Sequence, residues 1–64
     1  MYFILFKSEN NNQWYWHLRA DNHQIIASGA EGYVSKQGAT DGIALVKKNA
    51  ATARVYDDSQ KKWL

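Results

Sequence analysis

The chain of 64 residues contains no cysteine and no proline, and it has only four glycines and one methionine. The absence of cysteine excludes disulfide bonds and is consistent with a protein that functions in a reducing compartment. The absence of proline excludes a proline-rich linker, and the segment ENNNQ is short enough to be a polar turn. Any stabilisation beyond the core must therefore come from a metal or a second subunit.

Long hydrophobic runs are also missing from the sequence. No segment approaches the about 20 apolar residues that a membrane-spanning helix needs. The opening stretch MYFILF is apolar, but it lacks a basic start and is too short for a signal peptide. We interpret this stretch as a strand and expect a cytoplasmic protein with no membrane partner.

The excess of basic over acidic residues is small: eight basic and six acidic residues give a net charge of +2. Dedicated nucleic-acid binders usually carry a clustered basic face, whereas adjacent basic residues occur here only at Lys47-Lys48 and Lys61-Lys62. The segment GAEG has the Gly-x-x-Gly form of an RNA-binding loop, but it contains a glutamate and follows a strand. We interpret it as a backbone turn.

The size of the chain limits the core that it can build. A chain of this length buries about 60% of the surface that its unfolded state exposes. At about 25 cal/mol per Å², the apolar part of that burial contributes about as much free energy as the ordering of the chain costs. The net free energy of folding of the isolated monomer is therefore close to zero, and we expect a homodimer.

The order of apolar and polar segments predicts three strands in the first half of the chain. Tyr2–Lys7, Gln13–Ala20 and Gln24–Ser28 are rich in strand-forming residues. They are separated by an Asn-rich loop and by the turn ADNH, in which Asn22 is suited to positive φ. Strands joined by such short connections form an antiparallel meander.

The second half of the chain predicts a helix and a last strand. Ser35 is a suitable N-cap for a helix to about Lys48, with Asn49 at the left-handed C-terminal position. The two glycines of this helix are expected to pack closely against a sheet or a partner. A strand over 53–57 follows, and the fold class is α+β, a β-β-β-α-β unit over residues 1–58 with one helix on the sheet. Residues 59–64 are expected to form a polar tail.

The stretch QWYWHLRADN indicates which side chains lie on each face of the second strand. Strand alternation places Trp14, Trp16 and Leu18 on one face, which we expect to meet the helix. The other face then carries three side chains that the core does not use: Tyr15, His17 and Arg19. Aromatic residues and arginine are enriched in protein interfaces, so we take these three, together with Trp63 near the chain end, as a candidate interaction face.

The segments WYWHLRADNHQIIASGAEGY and KQGATDGIALVKKN resemble the YegP-like family of small bacterial domains of unknown function. The matching positions span roughly Phe3 to Tyr56. They are Trp14, Trp16, Leu18, Ala20, Asn22, Ile25, Ile26, Ser28, Tyr33, Gly42, Ile43, Val46, Lys47 and Asn49. One departure is His23, which stands where the family often has glycine.

The resemblance implies a fold in which two units build one sheet and exchange their last strands. Some relatives carry two units in tandem, whereas this sequence holds one. The resemblance therefore implies a homodimer with an exchanged C-terminal strand, with the segment NAATA as the hinge. It implies no catalytic, cofactor-binding or metal-binding residues.

Catalytic and metal sites find little support in the sequence. His17 and His23 flank Asp21, but zinc usually takes three or four ligands and often cysteine. A triad could be written with Ser28 or Ser35, yet neither lies in a nucleophile elbow. We therefore expect no cofactor, no metal and no enzymatic activity.

The sequence thus predicts a non-enzymatic, homodimeric module of unknown role that acts through protein–protein contacts. The alternative hypothesis is a weak single-stranded nucleic-acid binder that uses the outer sheet face, because aromatic rings stack on bases and arginine tracks phosphates.

Overall fold

A three-stranded antiparallel sheet forms the first half of the protein. In the computed structural model, which describes Met1–Leu64, the strands are β1 (Tyr2–Lys7), β2 (Trp14–Arg19) and β3 (Ile25–Ser28). Their order in the sheet is β1-β2-β3, so β1 and β3 are the two edges. The predicted meander is confirmed, because short polar connections allow each strand to pair with the one before it.

Both hairpin connections place a residue other than glycine at positive φ. Asn12 has φ 57° and His23 has φ 71°. The expectation that Asn22 would take this position was wrong, because its side-chain oxygen instead accepts a hydrogen bond from the Gln24 amide at 3.1 Å. Histidine tolerates the left-handed region less well than glycine does, so this turn carries some backbone strain.

The edge at β3 is irregular. The register shifts between Leu18 and Arg19, since Leu18 pairs with Ala27 and Arg19 pairs with Ile25. After β3 the chain continues along β2 and rejoins it at Tyr33, which exchanges two backbone hydrogen bonds of 2.8 Å with Trp14. The loop that contains both glycines of GAEG therefore bulges out between two points of attachment to β2.

Helix α1 (Lys36–Asn49) begins as predicted. The Ser35 side chain accepts a hydrogen bond from the Gly38 amide at 3.0 Å, and Lys47 and Lys48 occupy the last turn. Asn49 was expected in the left-handed region, but it has φ −115° and its side chain donates to the Leu45 carbonyl at 3.0 Å. The helix therefore continues into a 3-10 turn at Ala50–Thr52.

The core is a thin layer between α1 and one face of the sheet. Only Trp16, 6% exposed, and Ala39, fully buried, are buried residues. The Phe3 ring meets the Trp16 ring edge-on, with centroids 5.6 Å apart. Trp14 lies on the same face, where the Lys36 ammonium is 5.9 Å from its ring centroid. The predicted helix-facing set of β2 is thus the set that packs under α1.

Tyr33 fixes the helix at the two glycines. A methyl group built on Gly42 would lie 2.4 Å from the Tyr33 hydroxyl oxygen, and one on Gly38 would lie 3.5 Å from the Tyr33 ring. Gly42 therefore lets the tyrosine ring approach the helix backbone. The expectation of close packing at these glycines is met, with Tyr33 as the neighbour.

The end of the chain differs from the sequence-based expectation. In place of one strand over 53–57 and a polar tail, it forms a small hairpin of β4 (Tyr56–Asp57) and β5 (Lys62–Trp63). These strands pair only with each other and pack against neither α1 nor the three-stranded sheet. We call residues 53–64 the C-terminal arm.

The C-terminal arm makes the molecule elongated. Its principal extents are 40 × 26 × 22 Å and its radius of gyration is 13.9 Å, against about 10.7 Å for a compact chain of this length. The accessible surface is 5155 Å², compared with about 4,200 Å² for a compact monomer of this mass. The protein therefore exposes far more surface than a closed domain of its size.

Replacing Trp16 with alanine is expected to lower the free energy of unfolding by about 3–5 kcal/mol, because the indole fills the centre of the core. His17→Ala is the matched control on the opposite face, with an expected loss of about 1 kcal/mol. Denaturant unfolding of both variants at one protein concentration measures the difference. Equal losses would show that the core is not organised around Trp16.

Gly42→Ala is expected to destabilise the protein although alanine favours helix by about 1 kcal/mol over glycine. The reason is the collision with the Tyr33 hydroxyl. In a Tyr33→Phe background, which removes that oxygen, the loss caused by Gly42→Ala should be smaller. A double-mutant cycle of unfolding free energies measures this coupling, and strictly additive losses would contradict the proposed contact.

Candidate interaction site

Tyr15, His17 and Arg19 lie on the sheet face that is turned away from α1. Their cross-strand neighbours on β1 are Phe6, Ile4 and Tyr2, respectively. Directly paired residues project to the same side of a sheet, so the six side chains form one continuous surface, which we call the outer face. No helix covers it.

The aromatic side chains of the outer face shield one another. The Phe6 ring is stacked with Tyr15 at a centroid distance of 5.9 Å and meets the His17 ring edge-on at 4.8 Å. The Asn11 amide donates a hydrogen bond of 2.7 Å to the Tyr15 hydroxyl. All three residues of the candidate face are consequently half-buried rather than exposed.

Two polar atoms on the outer face have no hydrogen-bond partner. They are Nδ1 of His17 and Nε of Arg19, and both are inaccessible to solvent. A buried polar atom without a partner costs about 1–3 kcal/mol. Because solvent cannot reach either atom, both lower the stability of the chain itself.

The fourth candidate residue, Trp63, is not part of the outer face. It lies in the C-terminal arm and is 53% exposed. The Tyr56 ring meets it edge-on at 5.0 Å, and the Arg54 guanidinium carbon is 4.2 Å from its ring centroid. The structure therefore separates the predicted interaction face into two places.

Sequence reasoning missed that the C-terminal arm is a hairpin that carries exposed apolar side chains. Val55 and Leu64 are 58% and 74% exposed, and the Leu64 amide donates to the Val55 carbonyl at 2.9 Å. The turn between the strands is closed by the Asp57 carboxylate, which accepts from the Ser59 and Gln60 amides at 2.9 and 3.2 Å. The signal in the sequence is the Asp-Asp-Ser segment between two short apolar runs.

The hydrogen bond from Ser59 holds the pKa of Asp57, a half-buried residue, below its usual value. A lowered pKa means that the ionised carboxylate favours the folded turn. This contribution is present at neutral pH and is lost only as the pH falls below the range in which Asp57 is ionised.

An apolar groove is the second unfilled surface of the molecule. It lies between the C-terminal half of α1 and the start of β1 and has a volume of about 680 Å³. Eight of its nine lining residues are hydrophobic. The residues are Met1, Tyr2, Phe3, Leu18, Ile43, Val46, Lys47, Ala50 and Ala51. No feature of the linear sequence points to this groove, because its walls come from four separate elements: β1, β2, α1 and the 3-10 turn.

The histidines and serines considered in the sequence are not brought together as a metal cluster or as a Ser-His-Asp triad. No group of three or more His, Asp or Glu residues is placed to hold a metal ion. His23 forms a hydrogen bond of 2.7 Å with the Tyr2 hydroxyl and does not share a site with His17. Ser28 is the cross-strand neighbour of His17, but His17 Nδ1 has no carboxylate partner of the kind that a triad requires.

No helix in the structure is long and apolar enough to cross a lipid bilayer. The only α-helix spans Lys36–Asn49 and carries charged residues in its last turn.

Comparison with known proteins identifies the family. Residues 9–57 match a family described as Domain of unknown function (DUF1508). The UPF0339 protein NMB1088 of Neisseria meningitidis serogroup B is 42% identical over 57 residues, which cover 89% of this chain and 98% of that protein. The UPF0339 protein YegP of Escherichia coli K12 is 40% identical over 83% of this chain, and the match covers 47% of YegP.

A solved structure is also similar. The NMR solution structure of a protein from Haloferax volcanii superposes with a TM-score of 0.79 at 41% identity, covering 88% of this chain and 92% of that one. This relative comes from an archaeon, so the expectation of a purely bacterial family was too narrow. The chain belongs to the DUF1508 family of domains of unknown function, which confirms the YegP-like resemblance of its sequence.

Proposed function

We propose that this protein is a cytoplasmic, non-enzymatic, homodimeric module that acts through protein–protein contacts. The observation that carries the proposal is the C-terminal arm, a hairpin with exposed apolar side chains that packs against neither α1 nor the three-stranded sheet. Exposed apolar surface of this kind typically marks a site of protein association.

The amount of exposed surface supports a dimer. The accessible surface of 5155 Å² exceeds that of a compact monomer by about 950 Å². A standard protein–protein interface buries about 800 Å² per partner. Association of two chains through their arms would therefore bring the exposed surface to the value expected for a compact protein.

The sheet edges support mutual exchange of the arms. Both β1 and β3 are edge strands, and an open edge that is apolar invites pairing with a further strand. A two-fold axis would let each arm reach the other subunit by the same path. The segment 49–53 acts as the hinge, since it changes from helix to an extended conformation at Ala53, with φ −64° and ψ 136°.

The outer face is the surface through which such a dimer would contact other proteins. It presents Tyr15, His17 and Arg19 beside Phe6. An arginine and clustered aromatic rings form the typical centre of a protein interface. Trp63 belongs to the dimer contact rather than to this face.

At low micromolar concentration, sedimentation is expected to give about twice the monomer mass of 7.4 kDa. The melting temperature should rise with protein concentration, because dimer burial is part of folding stability. Deleting residues 53–64 should abolish the dimer and, with it, cooperative folding. A compact 7.4 kDa monomer whose melting is independent of concentration would refute the proposal.

Binding to single-stranded DNA or RNA is expected to be negligible at physiological salt. The outer face offers aromatic rings but only one cation, Arg19, and phosphate neutralisation needs several. Fluorescence anisotropy with labelled oligonucleotides measures this, with a paired Tyr15→Ala and Arg19→Ala variant as the control. Micromolar affinity that this variant loses would make nucleic-acid binding the leading function.

A further inference from the structure

We propose that the outer face binds a short acidic segment of another protein, whose carboxylate pairs with Arg19. This inference rests on the protein–protein role proposed above and adds the chemistry of the partner. Strand β3 extends the outer face, because Ile25 is the cross-strand partner of Arg19 and Ser28 is that of His17. Arg19 therefore lies on the middle strand, between Tyr2 of β1 and Ile25 of β3.

Arg19 has no acidic partner within its own chain. The two ion pairs of the structure join the Met1 amine to Asp21 and Lys61 to Asp58. Asp21, the acidic residue closest to Arg19 in the sequence, is therefore already engaged. None of the side chains that form or extend the outer face is acidic. The face thus presents a positive charge without a compensating carboxylate.

The surroundings of Arg19 determine which partner can cover it. Arg19 is half-buried, and Ile25 beside it is 50% exposed. Its Nε is closed to solvent without a hydrogen bond, so the two terminal guanidinium nitrogens are the atoms that a ligand can reach. A purely apolar partner would remove water from this charge and leave it unpaired, which is unfavourable. A carboxylate can accept two parallel hydrogen bonds from a guanidinium group, so the face favours an acidic partner.

The rest of the outer face supplies an apolar contact beside the charge. The Phe6 ring stacks with Tyr15 and meets His17 edge-on, and Ile4 is the cross-strand partner of His17. All four side chains are half-buried, so they support one another and lose little freedom when they are covered. Aromatic surface next to an arginine is typical of the centre of a protein interface. The preferred segment therefore carries an apolar residue near its carboxylate.

The dimensions of the outer face favour a short segment over a folded partner. Neighbouring strands lie about 4.8 Å apart and rise about 3.3 Å per residue, so the area from Tyr2 to Phe6 across the three strands measures about 10 × 13 Å. A standard interface between folded proteins buries about 800 Å² on each partner, several times this area. A second copy bound face to face is also disfavoured, because it would cover Arg19 with a surface that has no carboxylate.

Selection from a phage-displayed library of short random peptides tests the proposal on the intact chain. The wild type is expected to enrich peptides that carry Asp or Glu beside an apolar residue. Arg19→Gln should abolish this enrichment. Lys7→Gln is the matched control, because it removes the same charge on the helix-facing side, beside Trp14, and it should retain the enrichment. No enrichment, enrichment without acidic residues, or equal enrichment by Arg19→Gln would overturn the proposal.

An internal carboxylate provides a second variant that leaves Arg19 in place. Ile25→Glu puts an acidic side chain directly across the strand pair from the guanidinium group, where opposite charges attract. It should therefore compete with the peptide and also repel it. Ile25→Gln is the matched control, because it has the same length without the charge.

Fluorescence anisotropy with a labelled peptide from the selection measures these effects. The dissociation constant should rise about 30-fold for Arg19→Gln and about 10-fold for Ile25→Glu, and it should change by no more than about threefold for Ile25→Gln. Circular dichroism of each variant checks that the fold is retained. Equal affinity of Ile25→Glu and Ile25→Gln would contradict a carboxylate contact at Arg19.

The outcomes separate this inference from the proposed homodimer, because sedimentation measures the dimer independently of peptide binding. If the wild type is a monomer that selects acidic peptides through Arg19, the homodimer fails and the acidic-segment site stands. If the wild type is a dimer whose selected peptides lack acidic residues, or bind Arg19→Gln equally well, the homodimer stands and this inference fails.

Discussion

The packing of Trp16 between sheet and helix is the constraint on which the rest of the fold depends. It is the only large side chain that the monomer buries, at 6% exposure, and Phe3 packs edge-on against it. The backbone closes over it as well, because a methyl group built on Gly29 would lie 2.8 Å from its indole nitrogen. With so small a core, every other apolar residue except Ala39 remains partly in contact with water.

That limitation explains the two unfilled surfaces. The outer face collects the aromatic rings that alternate with the core residues of β2, and the apolar groove collects the residues of α1 that extend beyond the sheet. A chain of this length does not have enough residues to cover both. In the proposed homodimer, association would provide the missing cover, which is a common solution for domains that are too small for a self-sufficient core.

Local backbone conformation determines where the chain turns and where the C-terminal arm leaves the rest of the fold. His23 adopts positive φ at the β2–β3 turn and is held there by the Tyr2 hydroxyl. The 3-10 turn after α1 ends at Thr52, and the extended Ala53 sends the arm outwards. Asp57 then closes the arm into a hairpin, so the exposed apolar side chains are presented on a defined scaffold.

The sequence by itself determined the meander, the start of α1 at Ser35 and the face of β2 that carries Trp16, because alternation and capping are local properties of the chain. Only the tertiary structure decided that Tyr33 is the ring that Gly42 accommodates, since those residues meet through the packing of distant segments. It also separated Trp63 from the outer face and placed Val46 in a groove. A groove is formed by elements far apart in the chain, and no local pattern of residues encodes it.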